Sequence, residues 1–474
     1  MKYIQFRLLL LLLVAGTFIS CDKQLNVYPT NKLVDGNVII DLKSAETVLN
    51  GVYYAFAYAG TDNITGIESV RWATVNEIMP SELAGTVAYA YGQDGFMNMA
   101  YRNPNNILSS KWEYGYDMVN AANGFLKNVA PVENIPAERK KQMIGEAKFL
   151  RAFANADLLL YFGQYYDINS KYGIILRDEF VSAEQIRMAR SSVAASYNAI
   201  LKDLDDAIAG LPPRGSKIHY ANLWAAKMLK ARVLINRGAA GDYEQVVGLT
   251  EDIILNSNFK LEPNLKDLFH VKGFSSEEVM LAVQPFPTER YKFYLNNTSV
   301  DFYVTPALKD LLANDPRKDW MYKDAKNING ILPSITKYFS GNVMAPLKAP
   351  LVCNSYAFRL TEAYLTQAEA ITLAKGDLTK AKSNLKTVMG HAGLTDFSKV
   401  DEAVTPDALQ LLIVQEVRKN FLQESGLDWL AMRRLPMATL QGIRPAVKSR
   451  FSFILPIPVA EMSANGLMEP NPAE

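Results

Sequence analysis

The chain has 474 residues, more than one hydrophobic core normally serves, so one large composite domain or two tightly fused ones are expected. Its 50 Lys and Arg stand against 49 Asp and Glu, and a net charge of +1 announces no basic face for nucleic acid or an anionic bilayer. With 49% hydrophobic and 21% charged residues, the composition excludes both a largely disordered chain and a multi-span membrane protein.

At the N-terminus Lys2 and Arg7 precede an uncharged, leucine-rich run from Leu8 to Ile19. That is the pattern of a secretory signal, and as a helix the run is too short to span the roughly 30 Å of bilayer hydrocarbon. It ends at Ser20-Cys21, and a small residue before a cysteine is similar to the bacterial lipoprotein box, in which the thiol is acylated and becomes the mature N-terminus. Lipidation at Cys21 would leave Cys353 without a partner for an internal disulfide. Residues 1–20 are thus expected to be a signal peptide, 21–40 a lipidated tether, and 41–474 a single domain.

From Asp41 the pattern becomes helical, with Leu42, Ala45, Val48, Leu49, Val52 and Tyr53 recurring at three- and four-residue spacing. The same spacing returns in 112–129, 138–162 and 193–209, where Leu211-Pro212-Pro213 ends the last helix. Two later pairs share one layout. Leu223 to Asn236 is followed by Gly241-Asp242-Tyr243, Val246, Thr250 and Ile253, and Arg359 to Ala374 by Gly376-Asp377-Leu378, Ala381, Leu385 and Val388. These read as divergent tetratricopeptide-like hairpins, with glycine closing one helix in a left-handed cap and aspartate accepting from the next helix's free amides. Between them, residues 259–358 are broken by proline and glycine, and short apolar runs such as Val279 to Val283 suit strands. The expected fold is mainly α, a helical body with tetratricopeptide-like pairs and a loop-rich insertion containing minor β structure.

Catalytic signatures are scarce. His219, His270 and His391 belong to no His-Glu-x-x-His or Cys-x-x-Cys arrangement, so neither metal catalysis nor a cofactor is expected. Gly92-Gln93-Asp94-Gly95 lacks the lysine and helix start that would cradle phosphates. Glu77 with Glu82 and Asp315 with Asp319 read as solvated surface pairs rather than a glycosidase's acid and base. Aromatic residues in irregular segments carry more information. Trp72, Tyr89 and Tyr91 stand among Gly85, Gly92, Gln93 and Asp94, and Trp320 and Tyr322 follow Asp315-Pro316-Arg317. An exposed ring offers a flat hydrocarbon face to the C–H face of a sugar, while nearby amides and charges bond its hydroxyls. Trp72, Tyr89, Tyr91, Trp320 and Tyr322 are therefore the candidate ligand-binding residues, provided that segments 70–100 and 285–325 meet on one side of the body.

Five segments then carry a family likeness: SCDKQLNVYP (20–29), WEYGYDMVNAANGFL (112–126), GEAKFLRAFANADLLLYFGQ (145–164), RLTEAYLTQAEA (359–370) and FILPIPVAEMSANGLMEPNP (453–472). In these and in their order the chain resembles the SusD/RagB-like outer-membrane nutrient-binding lipoproteins of Gram-negative bacteria. One departure lies in NFLQESGLDWLAMRRL (420–435), where Glu424, Trp429 and Arg433 match but Ser425, Leu427 and Leu430 replace the family's Gly, Arg and Asp. A charged support of the fold is expected to be missing there. The resemblance implies a protein on the outside of the cell, lipid-anchored in the outer membrane, that captures a glycan or other nutrient without chemistry. It would close over a TonB-dependent transporter of the SusC type. A helical-repeat adaptor that binds protein, or capture of peptide rather than glycan, is the alternative.

Overall fold

The computed structural model describes residues 38–472 apart from 58, 62–67, 71, 73, 93–94, 102–104, 182–185, 284–300, 328–329 and 339–353. The signal peptide of residues 1–20, Cys21, the tether as far as 37, and Cys353 lie outside the described residues.

Helix α1 (Leu42–Ala57) starts where Asp41 Oδ1 accepts from the Ser44 amide at 2.8 Å, and it buries Ala45, Leu49, Val52, Tyr53 and Phe56. A π-helical turn (Thr74–Ile78) leads into α2 (Met79–Leu83). Asn105 caps α3 (Asn106–Val129) by accepting from the amides of Ile107 and Leu108, which satisfies two donors a helix start leaves free. α4 (Ala137–Phe162) is apolar nearly all round its second half, and α3 and α5 (Val193–Gly210) both pack on it. Gly115 makes the α3–α4 approach possible, since a Cβ there would lie 2.6 Å from Leu158 Cγ.

The expected hairpins follow as α6 (Leu223–Arg237) with α7 (Asp242–Asn256), and α8 (Leu360–Leu373) with α9 (Leu378–His391). α7 also packs on α8, and α8 on α10 (Pro406–Asn420), so the two pairs form one stack despite the long insertion between them. The caps differ from expectation. Gly238, with φ of 62°, closes α6, and Gly241 (φ 82°) instead opens α7. In the second pair Lys375 takes the left-handed conformation (φ 56°) and Asp377 caps α9 by accepting from the Thr379 amide at 2.9 Å. Asp242 does not cap. It sits in the first turn of α7, accepts from the Ala239 amide at 2.8 Å and pairs with Arg237.

Strands β1 (Ala59–Thr61) and β2 (Glu68–Val70) form a small antiparallel hairpin. β3 (Val87–Tyr89), β5 (Phe302–Val304), β6 (Tyr322–Asn327) and β7 (Gly330–Ile335) make an antiparallel sheet of order β3-β5-β7-β6, while β4 (Val279–Ala282) pairs with β8 (Tyr356–Arg359). The described part of the insertion thus supplies most of the strands, including the run from Val279. The helices share one large apolar core, and a second, smaller core of Val87, Leu268, Phe269, Phe302, Val304, Trp320, Ile335 and Tyr356 lies under the four-stranded sheet.

Candidate functional site

The two segments that had to meet do so, because β3 pairs with β5. Tyr89 lies opposite Phe302, Tyr303 opposite Ser334, and Tyr322 opposite Ile335. This register sets Tyr89, Phe302, Ile335 and Tyr322 in one row across the four strands and on one face of the sheet. Phe302 and Ile335 fill the middle of the row and are buried, and Tyr89 and Tyr322 are half-buried at opposite edges. Three strand spacings of about 4.8 Å put the two tyrosines roughly 14 Å apart, farther than one sugar ring spans.

Tyr91 continues the aromatic row outward. Beyond β3 the Ala90 amide donates to the Asp301 carbonyl at 2.8 Å, which extends the ladder and brings Tyr91 round to Tyr89. The two rings meet edge to face at 5.7 Å, Tyr89 lies 5.2 Å from Phe302, and Tyr91 is 38% exposed. The result is a ridge of three rings running from solvent into the sheet's core. The chain then turns back at Gly95 (φ 93°), where a Cβ would stand 2.4 Å from the Ala100 carbonyl oxygen, so no other residue fits this turn. Phe96, wholly buried, anchors the loop from below. On the sheet's other face Tyr303 is half-buried. It was missed in the sequence although the Phe302-Tyr303-Val304 alternation could have marked it.

Two of the five candidate rings are core residues instead. Trp72 is 0% exposed, donates its indole N–H to the Phe56 carbonyl at 2.8 Å, and meets the Phe56 ring edge-on at 5.1 Å. It pins the segment after β2 onto α1. Trp320 is 8% exposed, stacks on Phe269 at 6.1 Å and touches His270 at 5.4 Å. The single helical turn Lys318–Met321 carries it inward, and the Thr336 hydroxyl donates to its carbonyl at 2.7 Å. A tryptophan in a short connecting segment looks exposed in a sequence; here each finds a buried aromatic partner far along the chain. Tyr322, next to Trp320, stays at the surface edge with the Lys309 ammonium 5.7 Å above its ring.

A buried ionic network fastens this sheet to the helical body. Lys337, two residues beyond β7, donates to the carbonyls of Asn420 and Leu422 and to Glu424 Oε2 at 2.8 Å. Arg359, at the end of β8, donates to Glu424 Oε1 at 2.7 Å and to Glu278 Oε1 at 2.8 Å. Burial opposes the charge on Glu424, but Arg359 and Lys337 outweigh it and hold the carboxyl below the ordinary glutamate range. The expectation that the 420–435 segment lacks a charged support is therefore wrong. Lys337 and Arg359, which come from outside the segment, bring the cations that pair with its Glu424.

The carboxylate pairs also differ from expectation. Glu77, Glu82 and Asp315 are buried rather than solvated. Asp315 is held at 2.6 Å by Arg317, which also grips Glu416. Although burial pushes the Asp315 carboxyl up, Arg317 and Lys419 more than offset this and hold it at about 2, so it cannot donate a proton near neutral pH. Among the described residues no group of three or more His, Cys, Asp or Glu is placed to hold a metal ion, and no helix is long and apolar enough to cross a membrane.

Against known proteins, residues 44–235 match a family, SusD-like, described as starch-binding and associating with the outer membrane. A SusD-like protein of Bacteroides ovatus is 23% identical over 369 residues, a match covering 68% of this chain and 64% of that protein, so the chain spans less than two thirds of this relative's length. Among solved structures, a SusD superfamily protein of Bacteroides thetaiotaomicron aligns with a TM-score of 0.74 at 20% identity, over 92% of this chain and all of the other. A SusD superfamily protein of Parabacteroides distasonis reaches 0.75 at 17% identity, covering 91% and 99% of the two chains. A laminarin-binding SusD-like protein reaches 0.71 at 20% identity, covering 92% and 100%. The tetratricopeptide-like stack with its intervening sheet is thus the fold these structures share, and residues 44–235 of this chain match the sequence pattern of the SusD-like family.

Proposed function

We propose that this protein is a lipid-anchored outer-membrane protein facing the cell exterior, which captures an oligosaccharide or polysaccharide without chemically altering it. It delivers that ligand to a TonB-dependent SusC-like transporter. The observation that carries the reading is the ridge of Tyr91, Tyr89 and Phe302, whose outermost ring is exposed at a sheet edge. An apolar ring face in water is suited to the C–H face of a sugar, and Tyr322 at the far edge and Tyr303 on the reverse face are secondary contacts. Each stacked sugar contributes on the order of 1 kcal/mol, so capture is weak, roughly micromolar to millimolar, which suits handing a ligand on. Acylation at Cys21 holds the chain to the membrane, and residues 41–474 act as one domain.

Binding of the chain from residue 22 onward to a panel of polysaccharides and peptides tests the reading. A glucan should bind, and Tyr91→Ala should weaken it about tenfold, a change of about 1.4 kcal/mol, with little change in melting temperature. Retention of peptides but no glycan would favour the adaptor reading. That alternative draws on the surface cleft of about 570 Å³ between α7, α8 and α9, lined by Val247, Glu251, Gln367, Ile371 and Lys380. Under the leading reading the helical face meets the transporter instead, and co-purification from detergent-solubilised membranes with a large barrel protein checks it.

A further inference from the structure

A broad concavity lies away from the sheet edge, between the 95–101 loop and the C-terminal segment. It has a volume of about 1080 Å³, and Asn98, Tyr101, Arg444, Lys448, Phe451 and Ser452 are among its walls. Its floor is apolar, built from Ile454, Ile457 and Met462 with prolines. The charged side chains that line it are Arg444 and Lys448, both cations.

Arg444 is the unusual member. It is only 9% exposed, and it donates to the carbonyls of Leu83 at 2.8 Å, Glu82 at 3.2 Å and Met97, but it forms no ion pair among the described residues. A guanidinium cannot shed its proton, and a buried cation without a counter-charge is costly. Tyr101 also lines the groove, and its hydroxyl has no hydrogen-bond partner. The charges of both Arg444 and Arg433 act on that hydroxyl, and Arg433 is itself buried with Nε and Nη2 unpartnered. The carboxylates nearest in sequence are engaged elsewhere, Glu461 by Trp112 and Asn465 and Glu469 by Lys171. Positive charge from Arg444 and Lys448 therefore lines a large, partly aromatic groove.

We infer that this groove binds an acidic glycan segment, one whose sugars carry carboxylates, so that the ligand of this protein is a uronate-bearing polysaccharide. The inference rests on the glycan-capture reading and adds a charge class and a second contact region to it. A uronate carboxylate would supply the counter-charge that Arg444 lacks. Lys448 would attract the next charged unit along the chain, the rings of Phe451 and Tyr101 would meet sugar faces, and Asn98 and Ser452 would meet hydroxyls.

Calorimetric titration of the chain from residue 22 onward with an oligogalacturonide, a neutral laminari-oligosaccharide and an oligoglutamate tests this. The oligogalacturonide should bind more tightly than the other two, and less tightly as salt is raised from about 50 to about 500 mM. Lys448→Gln should weaken it about three- to fivefold, and Phe451→Ala, which removes a ring from the groove wall, should weaken it severalfold. Binding of the neutral glucan in a Tyr91-dependent way with no binding of the oligogalacturonide would overturn the inference and leave glycan capture standing. Equal binding of oligoglutamate, or an affinity for the oligogalacturonide indifferent to both groove substitutions, would overturn it as well. If neither glycan bound at all, the capture reading would fall with it.

Discussion

Replacing Trp320 with alanine separates a core residue from a ligand platform. The indole is 8% exposed, stacked on Phe269 and touched by His270, so nearly all its surface is withdrawn from water. A tryptophan side chain buries roughly 200 Å², which at about 25 cal/mol per Å² corresponds to about 5 kcal/mol as an upper bound, and large-to-small core substitutions of aromatics cost about 3–5 kcal/mol. The cavity would open in the smaller core beneath the four-stranded sheet, beside Phe269 and His270. A loss of about 4 kcal/mol is expected, read from urea denaturation followed by fluorescence and near-ultraviolet circular dichroism, with coincident transitions confirming that one cooperative unit is measured. Glycan affinity in the fraction that remains folded should be unchanged. A loss below about 1 kcal/mol together with tenfold weaker glycan binding would refute the reasoning, because only a solvent-facing stacking ring behaves so.

Two further substitutions probe the network beneath the sheet. Glu424→Gln leaves Lys337 and Arg359 short of a counter-charge in a dry site and should cost about 3–5 kcal/mol; replacing all three by apolar residues should recover most of that, and equal damage from the triple variant would contradict the account. Asp428 is buried, and burial pushes its carboxyl up to about 6 against the opposing hydrogen bonds from the Ser81 hydroxyl and the Trp429 amide. The native state therefore holds this proton more tightly than the unfolded chain, whose aspartate titrates near 3.9, so its contribution to stability is full below about pH 4 and declines as pH rises to about 6. Asp428→Asn should lack that decline and gain stability relative to the parent over the same interval; parallel stability curves for the two proteins would rule the mechanism out.

Most of the helical body was legible from periodicity. The stripe of Ala45, Leu49, Val52 and Tyr53 became the buried face of α1, and the two matched helical pairs became α6–α7 and α8–α9, because a helix sorts its apolar residues by spacing alone. Their caps were read less well, since a left-handed position can fall to Gly238 or even Lys375 according to how the next helix must be aimed. The aromatic candidates divided along the same line. That Tyr89 and Tyr91 share a ridge with Phe302 depends on β3 pairing with β5, two strands far apart in sequence, and that Trp320 is buried depends on Phe269 and His270 arriving beside it. The ion cluster of Glu278, Lys337, Arg359 and Glu424 draws on four separate segments, none of which carries a sign of the others. By itself the sequence determined the helices, their repeat and the family likeness, all properties of neighbours within a few turns of chain. Which rings face water and which charges are paired was decided only by the tertiary structure, because burial is a property of what a distant segment brings to a residue and not of the residue's own surroundings in sequence.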